Sequence, residues 1–196
     1  MIAAVVPLKR LTDAKSRLSP QLGPDERERL MRDLAARTVE VLRSCPSIDS
    51  IALATPEEEL AFELGVELIR DPGSLNQAIQ DAVRWARALG ADALLVIPSD
   101  LPAVSTRDVE QLLAVSPGAP SVTVSPTHDG GTGALLMRPP GIIVPQYGPG
   151  SFARHRLAAE EMGASVVTVN LDGFARDLDT LEDFQALGYG RKKVWL

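Results

Sequence analysis

The sequence predicts a single-domain, three-layer α/β/α sandwich on a mainly parallel, Rossmann-like sheet, and three observations predict it. Short β-rich runs recur along the chain. Amphipathic helical stretches separate the earlier runs. The composition, 45% hydrophobic but only 4% aromatic, suits an aliphatic α/β core. At 196 residues the chain fits one domain of ordinary size, expected over 1–190, with 191–196 as a short basic tail.

The strand runs, in order, are IAAVV (2–6), SIALAT (50–55), GVELIR (65–70), DALLVIP (92–98), SVTVS (121–125) and SVVTVN (165–170). Each is short enough for one strand. After the first comes GPDERERLMRDLAARTVEVLRS, in which Leu30, Leu34, Thr38, Val41 and Leu42 recur at spacings of three and four, the signature of one apolar helix face. PEEELAFEL and SLNQAIQDAVRWARAL follow the same rule, and RDVEQLLAV is a further helical run with Ser105 or Thr106 as its cap. Strands alternating with helices imply right-handed βαβ units, whose ligands bind at the carboxyl ends of the strands. The segments that follow strands therefore carry the functional candidates.

The formal net charge is −6, and Lys occurs only at positions 9, 15, 192 and 193. That balance argues against a nucleic-acid footprint. Cys45 stands alone, which rules out an intrachain disulfide and fits a small buried thiol in a cytoplasmic protein. The opening run lacks the order of a signal peptide, and no stretch approaches the roughly 20 apolar residues of a membrane span. No membrane partner is expected. The sequence does not fix the oligomeric state and leaves a homodimer open.

PLKRLTDAKSRLSP places Lys9, Arg10, Lys15 and Arg17 in one loop directly after the first strand. It contains neither a P-loop nor a dinucleotide fingerprint. Lys as a point charge and Arg as a bidentate fork would instead grip a triphosphate through side chains and absorb charge on a leaving pyrophosphate. The plain alternative is a solvated loop.

LLVIPSDLPAV sets Asp100 three residues beyond an apolar strand, where a carboxylate suits Mg²⁺, a hard cation that bridges carboxylates to substrate phosphates. In RDLDTLEDF, Asp177 and Asp179 are spaced i, i+2 and share one side of an extended segment, so they can join Asp100 on one cation. Asp179 is equally suited to cap the helix begun by TLEDFQAL, and the two roles can coexist.

SPTHDGGTGALL carries Gly130, Gly131 and Gly133 around Thr132. Either these glycines let backbone N–H groups approach an anionic acid, or they form a hairpin turn through Asp129 and Gly130. YGPGSFARHRLAAEE offers Gly148, Gly150 and Ser151 ahead of a helix, which suits a phosphate or a simple cap. His155 reads as a helix-face histidine rather than a catalyst. Asn76, at the start of the helix after the third strand, either reads a base or ribose or caps that helix.

Taken in order, VVPLKRLTDAKSRLSP, LNQAIQDA, PSDLPAV, DGGTGALL, YGPGSFARH and DLDT resemble the guanylyltransferases of coenzyme F420 biosynthesis, called CofC in archaea and FbiD in mycobacteria. The resemblance covers nearly the whole chain. More distantly the sequence looks like MobA-type nucleotidyltransferases, which share a glycosyltransferase-A-like sheet but open with a Gly-rich loop that PLKRLTDAKSRL replaces here.

The resemblance implies that GTP condenses with phosphoenolpyruvate, or with 2-phospho-L-lactate or 3-phosphoglycerate, and releases pyrophosphate. The guanosine diphosphate ester would pass to the enzyme that transfers the acid moiety to Fo. Carried over by motif, Asp100, Asp177 and Asp179 would bind Mg²⁺, and Thr132, Gly148 and Ser151 would hold the acid. Leu8, Lys9, Lys15, Arg17, Asn76 and Asp100 would face the nucleotide, with Lys15, Arg17 and Asp100 the catalytic set. Another MobA-like nucleotidyltransferase, or a nucleotide-binding module without catalysis, is the competing expectation.

Overall fold

The first strand, β1 (Ile2–Pro7), is buried along almost its whole length, as expected for an apolar run with helices on both faces. The computed structural model describes residues 1–11, 18–20, 22–70, 73–179 and 183. After β1 the order is α1 (Pro24–Arg43), β2 (Ser50–Thr55), α2 (Glu58–Glu63), β3 (Glu67–Arg70), α3 (Leu75–Ala88), β4 (Ala93–Val96) and α4 (Thr106–Val115). Then come β5 (Ser121–Pro126), β6 (Thr132–Arg138), α5 (Ser151–Glu161), β7 (Ser165–Thr168) and a 3₁₀ turn at Asp172–Phe174. The 191–196 tail and the helix expected from TLEDFQAL, apart from Asp183, lie outside the described residues.

The strands form one seven-stranded sheet in the order β3-β2-β1-β4-β6-β5-β7. The β1–β2, β1–β4, β2–β3 and β5–β7 pairs are parallel, while β6 pairs antiparallel with both β4 and β5. Thus β6 alone runs against the rest. α1, α2 and α4 supply Leu30, Leu34, Leu60 and Leu112 to the core on one face. On the other, α3 and α5 supply Ile79, Val83 and Ala159. The result is the three-layer sandwich expected from the alternating pattern.

The six expected strands are all present, five with trimmed ends or small extensions. β6 is the addition: TGALLMR belongs to a hairpin, and the apolar residues of the glycine segment pair with both neighbouring strands. The Asp129–Gly130 turn reading is therefore the realised one, with Gly130 at φ +83°. The register shifts at the start of β6, where Ala134 faces Ser125 but Thr132 faces Pro126, leaving Gly133 as a bulge. Cys45 is buried, and its burial pushes the thiol up to about 11, which suits an inert core residue.

Candidate active site

The strand order turns back at β1: its neighbours are β2, reached through α1, and β4, reached after β3. Such a reversal opens a crevice at the carboxyl ends of the two central strands. Leu8, Lys9 and Arg10 follow β1 into that edge, and Asp100 follows β4. Because β6 runs backwards, its first residue, Thr132, reaches the same edge. One parallel ladder and one inverted strand thus bring three distant sequence segments together.

Asp100, Asp177 and Asp179 converge there, each half-buried and each offering an oxygen, with the three oxygens within 4.8 Å of one another. The cause is a strap after β7. Phe174 and Leu178 are fully buried, and burying each side chain contributes about 2–3 kcal/mol. Leu178 donates its backbone N–H to the Asp100 carbonyl at 2.9 Å, and Ala175 accepts from the His128 N–H at 2.8 Å. The chain bends at Leu178, and with that side chain directed inward the carboxylates of its two neighbours stand together beside Asp100. The Asp-Leu-Asp pattern is the readable trace of that geometry. A set of carboxylate oxygens alone fits a hard divalent cation such as Mg²⁺ and disfavours soft metals.

A second cluster lies on the other face of β6. The Thr132 Oγ1 is 2.9 Å from the Ser151 Oγ and 3.0 Å from the His155 Nδ1, and all three side chains are buried. The bulge at Gly133 lets Thr132 turn toward α5. His155 also accepts the backbone N–H of Gln146 on its Nε2 at 2.8 Å, and the Tyr147 ring meets it edge-on at 5.1 Å. Burial foremost, and then the Arg154 charge, pushes the imidazole down to about 4, so it is neutral at neutral pH. His155 is a core residue of the site rather than the helix-face residue read from the sequence.

The loop before α5 is held from three directions. Asn76 donates its Nδ2 to the Tyr147 carbonyl at 3.2 Å and accepts the Tyr147 N–H on Oδ1 at 2.7 Å. Arg154 donates to the carbonyls of Pro149 (2.6 Å) and Gln146 (2.9 Å). The Phe152 N–H donates to Gly130 at 3.3 Å, joining the loop to the hairpin. Gly150, at φ +70°, ends the loop and caps α5. Gly148 is exposed beside Ser151, whose N–H donates to the Gly148 carbonyl at 3.0 Å.

Among the remaining candidates, Leu8 is buried in the core and donates its N–H to Ala54 at 2.9 Å, so its side chain serves packing. Lys9 is exposed at the crevice edge. Lys15 and Arg17 lie outside the described residues. Asn76 binds backbone as described, neither capping α3 nor standing free. Sequence patterns did not disclose the anchoring roles of Phe174, Arg154 and His155, because each depends on a contact between separate segments.

The family model for Guanylyl transferase CofC like matches residues 2–189. A phosphoenolpyruvate guanylyltransferase of Rubrobacter xylanophilus is 38% identical over 191 residues, covering 95% of this chain and 93% of the relative. One from Sphaerobacter thermophilus is 36% identical over 188 residues, covering 94% and 91%. A 2-phospho-L-lactate guanylyltransferase of Methanothermobacter thermautotrophicus is 32% identical over 185 residues, covering 92% and 81%. Among solved structures, one from Desulfovibrio desulfuricans G20, provisionally described as a nucleotide-diphospho-sugar transferase, superposes with a TM-score of 0.78 at 16% identity, covering 99% of this chain and 89% of that one. That likeness concerns the fold alone. Among the described residues, no helix is long and apolar enough to cross a membrane.

Proposed function

This chain belongs to the CofC-like guanylyl transferase family, and from that premise we propose that it joins the GMP part of GTP to the phosphate of phosphoenolpyruvate. The products are enolpyruvoyl-2-diphospho-5′-guanosine and pyrophosphate, and the first passes to the Fo-transferring enzyme of coenzyme F420 biosynthesis. The observation that carries this reading is the convergence of Asp100, Asp177 and Asp179 at the crevice beside β1 and β4. Phosphoenolpyruvate is favoured among acids because the relatives at 36% and 38% identity bear that activity in their names.

The acid brings a phosphate that is already ionised at neutral pH, so no side chain has to serve as nucleophile. A phosphate oxygen of the acid attacks the α-phosphorus of GTP in line, its bond to phosphorus forms, and the α–β bridging oxygen leaves with pyrophosphate. Asp100, Asp177 and Asp179 would hold Mg²⁺, which when bound neutralises phosphate charge and polarises the reacting phosphorus. Thr132 and Ser151 offer hydroxyls to the acid, with Gly148 giving it close backbone approach. Lys9, Lys15 and Arg17 are assigned to the triphosphate, where their charges offset that of the departing pyrophosphate. Catalysis then consists of positioning and charge neutralisation.

The test is a competition assay: GTP and Mg²⁺ with phosphoenolpyruvate, 2-phospho-L-lactate and 3-phosphoglycerate together, pyrophosphate release as the readout and mass identification of the product. The enolpyruvoyl product is expected to dominate. Dominance of another acid reassigns the acceptor, and no pyrophosphate with any of them removes the reading.

A further inference from the structure

We infer that His155 is a positioning residue whose tautomer makes the Thr132–Ser151 hydroxyl pair a hydrogen-bond donor toward an anionic ligand. The inference rests on the assignment of those two hydroxyls to the acid substrate and deepens it. Its starting point is the Gln146 backbone N–H, which lies 2.8 Å from the His155 Nε2. A backbone N–H only donates, so Nε2 must carry a lone pair. The ring is neutral, and its one proton therefore sits on Nδ1, which faces the Thr132 Oγ1 at 3.0 Å.

The proton count then decides what the pair offers. Thr132 and Ser151 own one hydroxyl hydrogen each, and their 2.9 Å contact consumes one of the two. With His155 donating to Thr132, the other hydrogen is left over for a ligand. Were Nδ1 the acceptor instead, Thr132 would donate to it, Ser151 would donate to Thr132, and nothing would remain. Phosphate and carboxylate oxygens only accept hydrogen bonds, so the first arrangement binds an anionic acid and the second repels it. The Tyr147 ring and the Asn76 clamp on its backbone hold Gln146 and the imidazole in register.

Two measurements test this. Nitrogen-15 spectra of the imidazoles in the unmodified protein are simple to assign, because the chain has 2 histidines. The expected His155 pattern is a protonated Nδ1 and an unprotonated Nε2 at neutral pH; an Nε2-protonated or doubly protonated ring overturns the inference. Steady-state kinetics with GTP, Mg²⁺ and phosphoenolpyruvate provide the second arm. His155→Leu is expected to raise the KM for phosphoenolpyruvate about tenfold while leaving the KM for GTP unchanged, because without the Nδ1–H on the Thr132 Oγ1 the two hydroxyls rotate freely and the spare hydrogen is no longer held toward the acid. His155→Asn, whose amide nitrogen replaces Nδ1, should recover part of that loss, and His155→Gln, whose amide falls at Nε2, should not.

Thr132→Val and Ser151→Ala separate the two levels of the argument. If both raise the KM for phosphoenolpyruvate and His155→Leu does not, the positioning role fails while the acid site stands. If neither moves it, the assignment of the hydroxyls to the acid fails and takes this inference with it.

Discussion

The carbonyl oxygen of Phe174 occupies the space that a side chain on Gly133 would need: a Cβ there would stand 2.0 Å from that oxygen and 2.9 Å from its carbon. The bulge of β6 and the strap that carries Asp177 and Asp179 are therefore in backbone contact. Gly133 adjoins Thr132 of the hydroxyl cluster, so one small residue links both candidate subsites.

Gly133→Ala is expected to destabilise the fold by about 3 kcal/mol, since a rigid carbonyl must retreat and the buried Phe174 with it. In a molecule that remains folded, both the Mg²⁺-dependent gain in thermal stability and the affinity for phosphoenolpyruvate should fall. Urea unfolding and thermal melts with and without Mg²⁺ check this. A variant as stable as the parent would mean that the strap does not depend on the missing Cβ.

The parallel core was legible because its signal is local: a buried strand such as ALLV and a helix such as LNQAIQDAVRWARA each declare themselves within their own window. Asp100, Asp177 and Asp179 were legible for a related reason, since position after a strand and i, i+2 spacing are both sequence properties. β6 was hidden by its glycines, which equally suit a ligand loop, and only pairing with β4 and β5 decides between the two. Asn76 and His155 were ambiguous because their meaning lies in partners far along the chain, Tyr147 for one and Thr132 for the other. The short range of sequence periodicity cannot reach such contacts.

Asp100→Ala is expected to lower turnover by on the order of a thousandfold or more while leaving the circular dichroism spectrum intact. Asp100 shares its oxygen cluster with Asp177 and Asp179, and removing one of the three proposed ligands should abolish the stabilisation expected from Mg²⁺. In the parent protein that stabilisation is expected to reach about 2.7 kcal/mol at a hundredfold excess of the ion over its dissociation constant. A folded, fully active Asp100→Ala protein would contradict the metal assignment.

Asn76 offers a discriminating pair of substitutions. Asn76→Ala removes both bonds to the Tyr147 backbone, costing about 2 kcal/mol and loosening the loop that carries Gly148. Asn76→Asp keeps an acceptor for the Tyr147 N–H but turns a carboxylate oxygen toward the Tyr147 carbonyl, so the smaller change in shape should do at least equal harm. Both are expected to raise the KM for phosphoenolpyruvate. A rise confined to the KM for GTP would instead give Asn76 to the nucleotide.

The buried imidazole of His155 makes stability fall as the solution is acidified from about pH 6.5 toward pH 4. Burial first, and the Arg154 charge second, hold its folded value near about 4, against an ordinary 6.5. Between those values the unfolded chain binds a proton that the native state refuses, so stability is present above the unfolded value and is lost as pH falls through the window. The contribution lost between about pH 7 and pH 5 is about 2 kcal/mol, and about 3 kcal/mol across the full window. His155→Leu removes the titrating group and should unfold with a shallower pH dependence over the same range. Urea titrations at the two pH values then show the parent losing its advantage over the variant as the solution is acidified. An advantage unchanged between them would mean that the native ring takes up its proton as readily as the unfolded chain does.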